Sequence, residues 1–239
     1  MDRPVDISIV IPIHNEEKIL ESAVTGLLDG IANWRSDLTF EIILAENGSQ
    51  DHTTDIAKQL CERFDQVRMI TAPSPNYGAA LRQGILAASG RWILCDEIDL
   101  CDIDFYSRAL PLLESGAADF VVGSKAMKGA KDERPLLRRT ATLVINNLLR
   151  LLLGFHGTDT HGLKAFVADK VVPLVRACQV DRDLFASELV IRSERARLHV
   201  TEIPVEVHEK RAPSIRLLKR VPSVLSDLAR LFYSIKIKG

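Results

Sequence analysis

The chain has 239 residues, of which 46% are hydrophobic and 26% charged. That is enough for one large α/β domain or two small ones, and a net charge of −1 excludes a global field that would draw it to nucleic acid. The start, Met1 to Asp6, lacks the apolar core of a signal peptide, and no run reaches the ~20 uninterrupted apolar residues that span a bilayer.

The longest apolar stretch, Leu143 to Phe155, is broken by Asn146, Asn147 and Arg150. Cys61, Cys95, Cys101 and Cys178 show neither CxxC pairing nor a His at finger spacing. They read as reduced thiols in a cytoplasmic protein.

The first half alternates strand and helix. Ile7 to Ile11 is a short apolar run ended by Pro12, the pattern of a buried strand. Asn15 is placed to cap the next helix. That helix shows Leu20, Val24, Leu27, Leu28 and Ile31 at helical spacing. Phe40 to Leu44 is the second strand, Asp51 to Phe64 a helix, and Val67 to Ile70 the third strand. Pro73 to Asn76 is a rigid loop, Tyr77 to Ala88 a helix, and Trp92 to Cys95 the fourth strand. Ile103 to Glu114 is helical and Phe120 to Val122 a fifth strand. Such alternation predicts right-handed βαβ units and a mostly parallel sheet.

The second half is less regular. Pro135 to Leu153 reads as a long helix and Ala186 to Ala196 as a shorter one. Val200 to Val207 alternates like a strand, and Arg216 to Lys238 is a basic amphipathic helix interrupted at Pro222. No internal repeat or linker divides the chain. The expected organisation is one α/β domain over residues 1–215, with a C-terminal helix, 216–239, packed on it or extending from it.

In open α/β sheets ligands sit beyond the carboxyl ends of the strands. Four such places carry polar clusters: Pro12 to Glu16, Glu46 to Ser49, Asn76 to Ala80, and Asp96 to Asp99. Each alone has a structural reading as a cap or a turn. Carboxylates gathered where a buried strand ends ask for a partner, and a divalent cation carrying a diphosphate is one. Other nucleotide and hydrolase signatures are missing: no Walker A loop, no G-x-G-x-x-G and no G-x-S-x-G. His156 and His161 share one loop, a weaker metal candidate than the acidic segment.

The order of motifs resembles the inverting family 2 glycosyltransferases of the GT-A fold, especially the dolichyl- and polyprenyl-phosphate mannosyl- and glucosyltransferases. The carrying segments are Ser8 to Glu17, Glu46 to Thr53, Asn76 to Gly84, Asp96 to Leu100, Val122 to Lys125, Thr158 to Phe166, Ser187 to Leu189 and Glu202 to Val205. The resemblance implies a single Rossmann-like GT-A domain that takes a UDP- or GDP-sugar. Pro12, His14 and Glu16 would line the nucleoside pocket. Glu46-Asn47 stands where the family commonly has Asp-Asp, with Asn47 accepting from the base through its amide oxygen. Gly78 would give a tight helix entry beside the donor. Glu97-Ile98-Asp99 aligns with the Asp-x-Asp motif as Glu-x-Asp, so Glu97 and Asp99 would hold Mg²⁺ or Mn²⁺, with Asp96 as a substitute ligand. A metal-independent variant is compatible with the same segment.

Lys125 and the cluster Arg134, Arg138 and Arg139 fit the anion-binding side, where relatives hold an acceptor phosphate and the donor diphosphate. Arg211, Ser214, Arg216 and Lys219 match the family's closing loop. For a hydroxyl acceptor Asp159 or Glu188 would be the base; a phosphate acceptor needs none. The resemblance thus leads to the expectation of hexose transfer to a polyprenyl phosphate, by a cytoplasmic enzyme docked peripherally on the membrane's cytoplasmic face. A soluble transferase acting on a hydroxyl and a degenerate nucleotide-sugar-binding protein are the alternatives. The last helix is a docking surface, a packed helix or a homodimer contact.

Overall fold

β1 (Ile7–Ile13) is buried along its whole length, and its alternation divides the core. Ile7, Ile9, Ile11 and Ile13 join one apolar cluster and Val10 the other. A strand covered on both faces has no polar side to show, which is why it reads as a continuous apolar run. The computed structural model describes residues 5–72, 75–133, 135–182, 184–207 and 217–237.

The chain proceeds through α1 (Leu20–Trp34), β2 (Phe40–Glu46), α2 (Thr53–Arg63), β3 (Val67–Thr71) and α3 (Tyr77–Ala87). β4 (Trp92–Cys95), α4 (Ile103–Glu114), β5 (Phe120–Ser124), β6 (Lys131–Asp132) and α5 (Leu136–Leu153) follow. The remainder is β7 (Lys164–Val167), α6 (Ala168–Ala177), α7 (Phe185–Arg195), β8 (Val200–Pro204), β9 (Glu206–Val207) and α8 (Leu217–Lys236). The main sheet among the described residues has seven strands in the order β3-β2-β1-β4-β7-β5-β8, while β6 and β9 form a two-stranded ribbon.

All neighbouring pairs in the main sheet are parallel except the two that β7 makes with β4 and β5. Helices cover both faces: α1, α2 and α4 pack on the β1 isoleucines, and α3, α5, α6, α7 and α8 cover the other face. Strand order reverses between β1 and β4, so the crevice for a ligand opens beyond their carboxyl ends.

Three expectations are corrected. Asn15 does not cap α1, which starts at Leu20; it adopts a left-handed conformation (φ 57°) in the preceding loop. Val200 to Val207 is two strands, β8 on the main sheet and β9 on the ribbon, with Val205 between them bonded to the Ser124 carbonyl. α8 runs through Pro222 without interruption. β7 and α6 were not foreseen, for reasons taken up in the Discussion.

At the opposite end of the sheet Glu41 accepts hydrogen bonds from Ser8 Oγ (2.5 Å), Ser89 N (2.8 Å), Ser89 Oγ (2.7 Å) and Arg68 Nε (2.6 Å). Burial alone would raise this carboxyl, but those donors outweigh it and hold it at about 2, against an ordinary 4.5. A depressed acid stabilises the fold above its unfolded value and loses that contribution as pH falls. Wild type should therefore exceed Glu41→Gln by on the order of 2 kcal/mol at neutral pH, Arg68 being 39% exposed and partly screened. The gap should shrink between pH 4.5 and about 2. Denaturant unfolding of both proteins across that window checks it, and a pH-independent gap would refute the assignment.

Candidate active site

Two loops at the carboxyl end of the sheet bind each other. His14 Nδ1 lies 2.9 Å from the Asn47 carbonyl and His14 Nε2 lies 3.2 Å from Asn15 Nδ2. The Nδ1–H tautomer satisfies both contacts. Asn15 N donates to Ser49 Oγ at 3.1 Å, and Asn15 Oδ1 accepts from Gln50 N at 2.8 Å. Glu16 N donates to Thr53 Oγ1 at 2.7 Å. This fixes the β1–α1 loop on the β2–α2 loop, with His14 and Glu16 half-buried and Pro12 enclosed within β1.

Several residues expected to meet a nucleotide are engaged by the protein itself. Glu46 is 2% exposed and its carboxylate accepts from Ser49 N at 2.5 Å. The Asn47 amide oxygen accepts from Asn76 N, and Asn76 in turn caps α3 through Ala79 N at 3.2 Å. That bond joins the start of α3 to the end of β2 and uses one of the two lone pairs of the amide oxygen. Gly78 is closely packed: a Cβ there would meet the Arg182 carbonyl oxygen at 2.2 Å. Its smallness serves the packing of α3 on the 181–182 backbone.

Asp96 belongs to this group as well. It is 2% exposed, and its carboxylate accepts from Glu97 N (2.6 Å), Asp102 N (3.0 Å) and the Tyr106 hydroxyl. Burial pushes it up to about 7, against hydrogen bonds that favour the ionised form. The carboxylate shapes the turn that presents Glu97 and Asp99, both half-buried.

Those two converge with a residue that sequence reasoning quoted but gave no role. Tyr77 opens α3 with its side chain 45% exposed. Burial of its hydroxyl, then the negative charges of Glu97, Cys95, Asp96 and Asp99, push it well above its ordinary value. The acidic turn after β4 thus lies on the side of the start of α3.

Lys164 is the second missed residue. β7 runs antiparallel, so its first residue reaches the crevice end of the sheet, in register with Cys95 of β4 and Val122 of β5. Lys164 is 3% exposed and its ammonium donates to the Gly162 carbonyl at 2.7 Å. Burial pulls this ammonium down, Cys95 and Asp159 oppose the shift, Lys125 adds to it and Glu97 opposes it. Five groups from three strand ends thus share one neighbourhood. The sequence signal was a lysine opening the apolar run Ala165-Phe166-Val167.

Asp159 is fully buried; its oxygens accept from His161 N at 2.9 Å and Lys125 N at 3.3 Å. Its own loop is clamped by Glu202, which accepts from Thr158 N (2.6 Å), Thr158 Oγ1 (2.6 Å) and Asp159 N (3.1 Å). Lys125 Nζ reaches the His161 carbonyl at 3.5 Å. Glu188 is also fully buried, receiving Gln179 N (2.8 Å), Val180 N (2.7 Å), Arg192 Nε (2.8 Å) and Ser234 Oγ (3.2 Å). It ties α7 to α8 and to the end of α6.

Arg138 and Arg139 fall in the first turn of α5, where Arg139 is exposed. Arg134, Arg211, Ser214 and Arg216 lie outside the described residues. His156 is largely exposed and faces Glu194 at 3.6 Å. Among the described residues no group of three or more His, Cys, Asp and Glu side chains is arranged to hold a metal ion by itself. The donor set Glu97 and Asp99 still fits Mg²⁺ or Mn²⁺, because Mg²⁺ sites commonly use one or two carboxylates and draw the other oxygens from phosphate and water.

The sequence profile described as Glycosyl transferase family 2 matches residues 8–171. Glycosyltransferase AglD of Haloferax volcanii is 26% identical over 237 residues, covering 98% of this chain and 38% of AglD. The dolichyl-phosphate beta-glucosyltransferases ALG5D and ALG5C of Trichomonas vaginalis are 27% and 31% identical, covering 99% and 84% of this chain. The chain spans 76% and 63% of those two proteins. Among solved structures, glucosyl-3-phosphoglycerate synthase of Mycobacterium tuberculosis with Mg²⁺ and UDP superposes with a TM-score of 0.68 at 21% identity, covering 95% of this chain and 79% of that one. Its complex with Mn²⁺, UDP-glucose and phosphoglyceric acid gives 0.66 at 21% identity, covering 95% and 80%. The architecture is therefore GT-A.

Proposed function

Because the chain belongs to glycosyl transferase family 2, we propose that it moves a hexose from a nucleoside diphosphate sugar to a polyprenyl-type lipid phosphate, with inversion at the anomeric carbon. The observation that carries this reading is the placement of the acidic turn after β4, Lys164 opening β7 in register with Cys95 and Val122, and Lys125 after β5 at one end of the sheet. Carboxylates there can share a cation with a diphosphate, while the lysines offer charge to an anion beside it. The names of the relatives support a lipid-phosphate acceptor, and the UDP complexes of the structural neighbours support a uridine donor.

The state of the buried acids supports that acceptor class. Asp159 and Glu188, the two candidate bases, are fully buried and hydrogen-bonded to backbone or arginine. A hydroxyl acceptor would need one of them to take its proton. A phosphate arrives already anionic. Its oxygen forms the new bond to the anomeric carbon from one side, and the diphosphate leaves on the other with the electron pair of the broken C–O bond. Lys125 orients the acceptor phosphate, with Arg138 and Arg139 on the approach. Lys164 holds the loop that carries Asp159. Mg²⁺ or Mn²⁺, when bound, supplies neutralising charge to the leaving diphosphate. The compartment proposed is the cytoplasmic face of a membrane.

Calorimetry and thermal shift with UDP, GDP and their sugars, each with Mn²⁺, Mg²⁺ or EDTA, test the donor half. A metal-dependent rise of several degrees with one diphosphate is expected, as saturating ligand stabilises a fold by about 2–4 kcal/mol. A flat response from folded protein would overturn the transfer reading in favour of a degenerate fold.

A further inference from the structure

α5 and α8 pack side by side, and among the described residues together they leave a large face bare. α5 touches the core through Asn146, Leu149 and Leu153, all buried. Its other side shows Leu136 (76% exposed), Leu137 (62%), Leu143 (50%), Val144 (55%) and Leu151 (81%). With Thr140 and Asn147 these residues fill one stripe about 120° wide on a helix of 3.6 residues per turn. Arg139 and Arg150, both exposed, lie along one border of that stripe. On α8 and just past its end, Leu225, Tyr233 and Ile237 are also at least half exposed, while Leu228 and Leu231 pack inward. No described helix is long and apolar enough to cross a membrane.

The charge on this pair is one-sided. Among the side chains described, α5 shows the exposed Arg139 and Arg150 and no acid, and α8 the exposed Arg230 and Lys236 against one acid, Asp227, which is 2% exposed. The whole chain has a net charge of −1, so the cationic excess is local. A stripe of aliphatic residues bordered by cations is the surface that lies in the headgroup region of an anionic bilayer. A second copy is the poorer occupant: a two-fold contact would set this cationic face against itself.

The face is also joined to the candidate site. Asn146 Nδ2 donates to the Thr158 carbonyl at 2.6 Å, and Arg150 donates to the Gly157 carbonyl from Nε at 3.2 Å and from its terminal nitrogen at 2.8 Å. α5 is thus clamped to the loop that holds Asp159.

We propose that the outward faces of α5 and α8 form one docking surface for an anionic lipid bilayer, with α5 lying in the headgroup plane and its Leu136 to Leu151 stripe entering the acyl boundary. The proposal deepens the lipid-phosphate reading, on which it rests for the reason a bilayer is present; the surface itself rests on exposure and charge.

The test is co-sedimentation of the full chain with vesicles of phosphatidylcholine alone or with about 30 mol% phosphatidylglycerol, at about 0.1 and 0.5 M salt. The comparison is the double variant Leu136→Glu, Leu151→Glu. Both positions are more than three-quarters exposed, so the variant keeps its fold and melting temperature. Wild type should bind anionic vesicles at least about 10-fold more tightly than neutral ones, lose binding at high salt, and exceed the variant by about 10-fold. Equal binding by the variant, or none to anionic vesicles at low salt, overturns the proposal. So does a concentration-dependent dimer in sedimentation velocity without vesicles that the variant abolishes. UDP and GDP binding on the same samples separates the two readings: nucleotide binding without vesicle binding removes the docking face alone, and the reverse removes the transfer reading alone.

Discussion

Gly162→Ala should lower stability by about 3–5 kcal/mol and cut turnover at least about 100-fold in whatever remains folded. A Cβ at Gly162 would stand 1.7 Å from the Gly123 carbonyl oxygen, and the same two segments are joined by the Gly123 N to Leu163 O hydrogen bond at 2.8 Å. β5 cannot yield, because Gly123 is itself closed in: a Cβ on it would meet Val205 at 2.7 Å and Phe105 at 3.1 Å. The 158–162 loop must therefore move. It positions Asp159 and receives both lysines, Lys125 on the His161 carbonyl and Lys164 on the Gly162 carbonyl. Gly26→Ala is the control: nothing lies within 4 Å of a Cβ there, and an alanine inside α1 should add about 0.5–1 kcal/mol. Urea unfolding of both variants, with single-turnover rates, decides the matter. A Gly162→Ala protein within about 1 kcal/mol of wild type would show that the loop has room the geometry denies it.

Much of the architecture was legible because each early element carries its own period and its own stop. β1 reads as a buried strand since both faces are covered, and α1 shows its apolar stripe in Leu20, Val24, Leu27 and Ile31. β7 was hidden by the opposite circumstances. It is four residues long and opens on a lysine, which counts against a buried strand until the pairing of Lys164 with the Gly162 carbonyl is known. It also runs straight from Val167 into α6 at Ala168, with no turn residue to mark the border. The break at Val205 was hidden because β8 and β9 keep the same alternation while pairing with different sheets.

In the site the sequence located the strand ends but not the use of each polar group. Glu46, Asn47, Asp96, Glu97 and Asp99 all look available to a ligand in a one-dimensional reading. Glu46 reaches three residues on to Ser49 N, and Asn47 twenty-nine residues on to Asn76 N. Such side-chain to backbone bonds follow from where loops meet, which no local pattern records. The lysine–carboxylate neighbourhood at Lys164 depends in the same way on the reversed direction of one short strand.

Asp99→Asn should lower kcat/KM by about 10²–10⁴, or roughly 3–5 kcal/mol of transition-state stabilisation, while leaving unfolding within about 0.5 kcal/mol of wild type. The change is isosteric and removes only charge, and the proposed work of Asp99 is to hold a cation against the diphosphate. Asp96→Asn, three residues away, should do the reverse. Its carboxylate accepts from Glu97 N, Asp102 N and the Tyr106 hydroxyl. An amide must turn its NH2 toward at least one of these donors, costing about 1–3 kcal/mol of stability. Mn²⁺ titration of the UDP-bound protein by calorimetry separates the two. For Asp99→Asn the metal-dependent heat should fall at least about 10-fold in affinity, and for Asp96→Asn it should persist in the folded fraction. If metal affinity and turnover survive Asp99→Asn intact, the acidic segment is a turn and nothing more, and the charge that stabilises the departing diphosphate must come from Lys125, Lys164 and the arginines of α5.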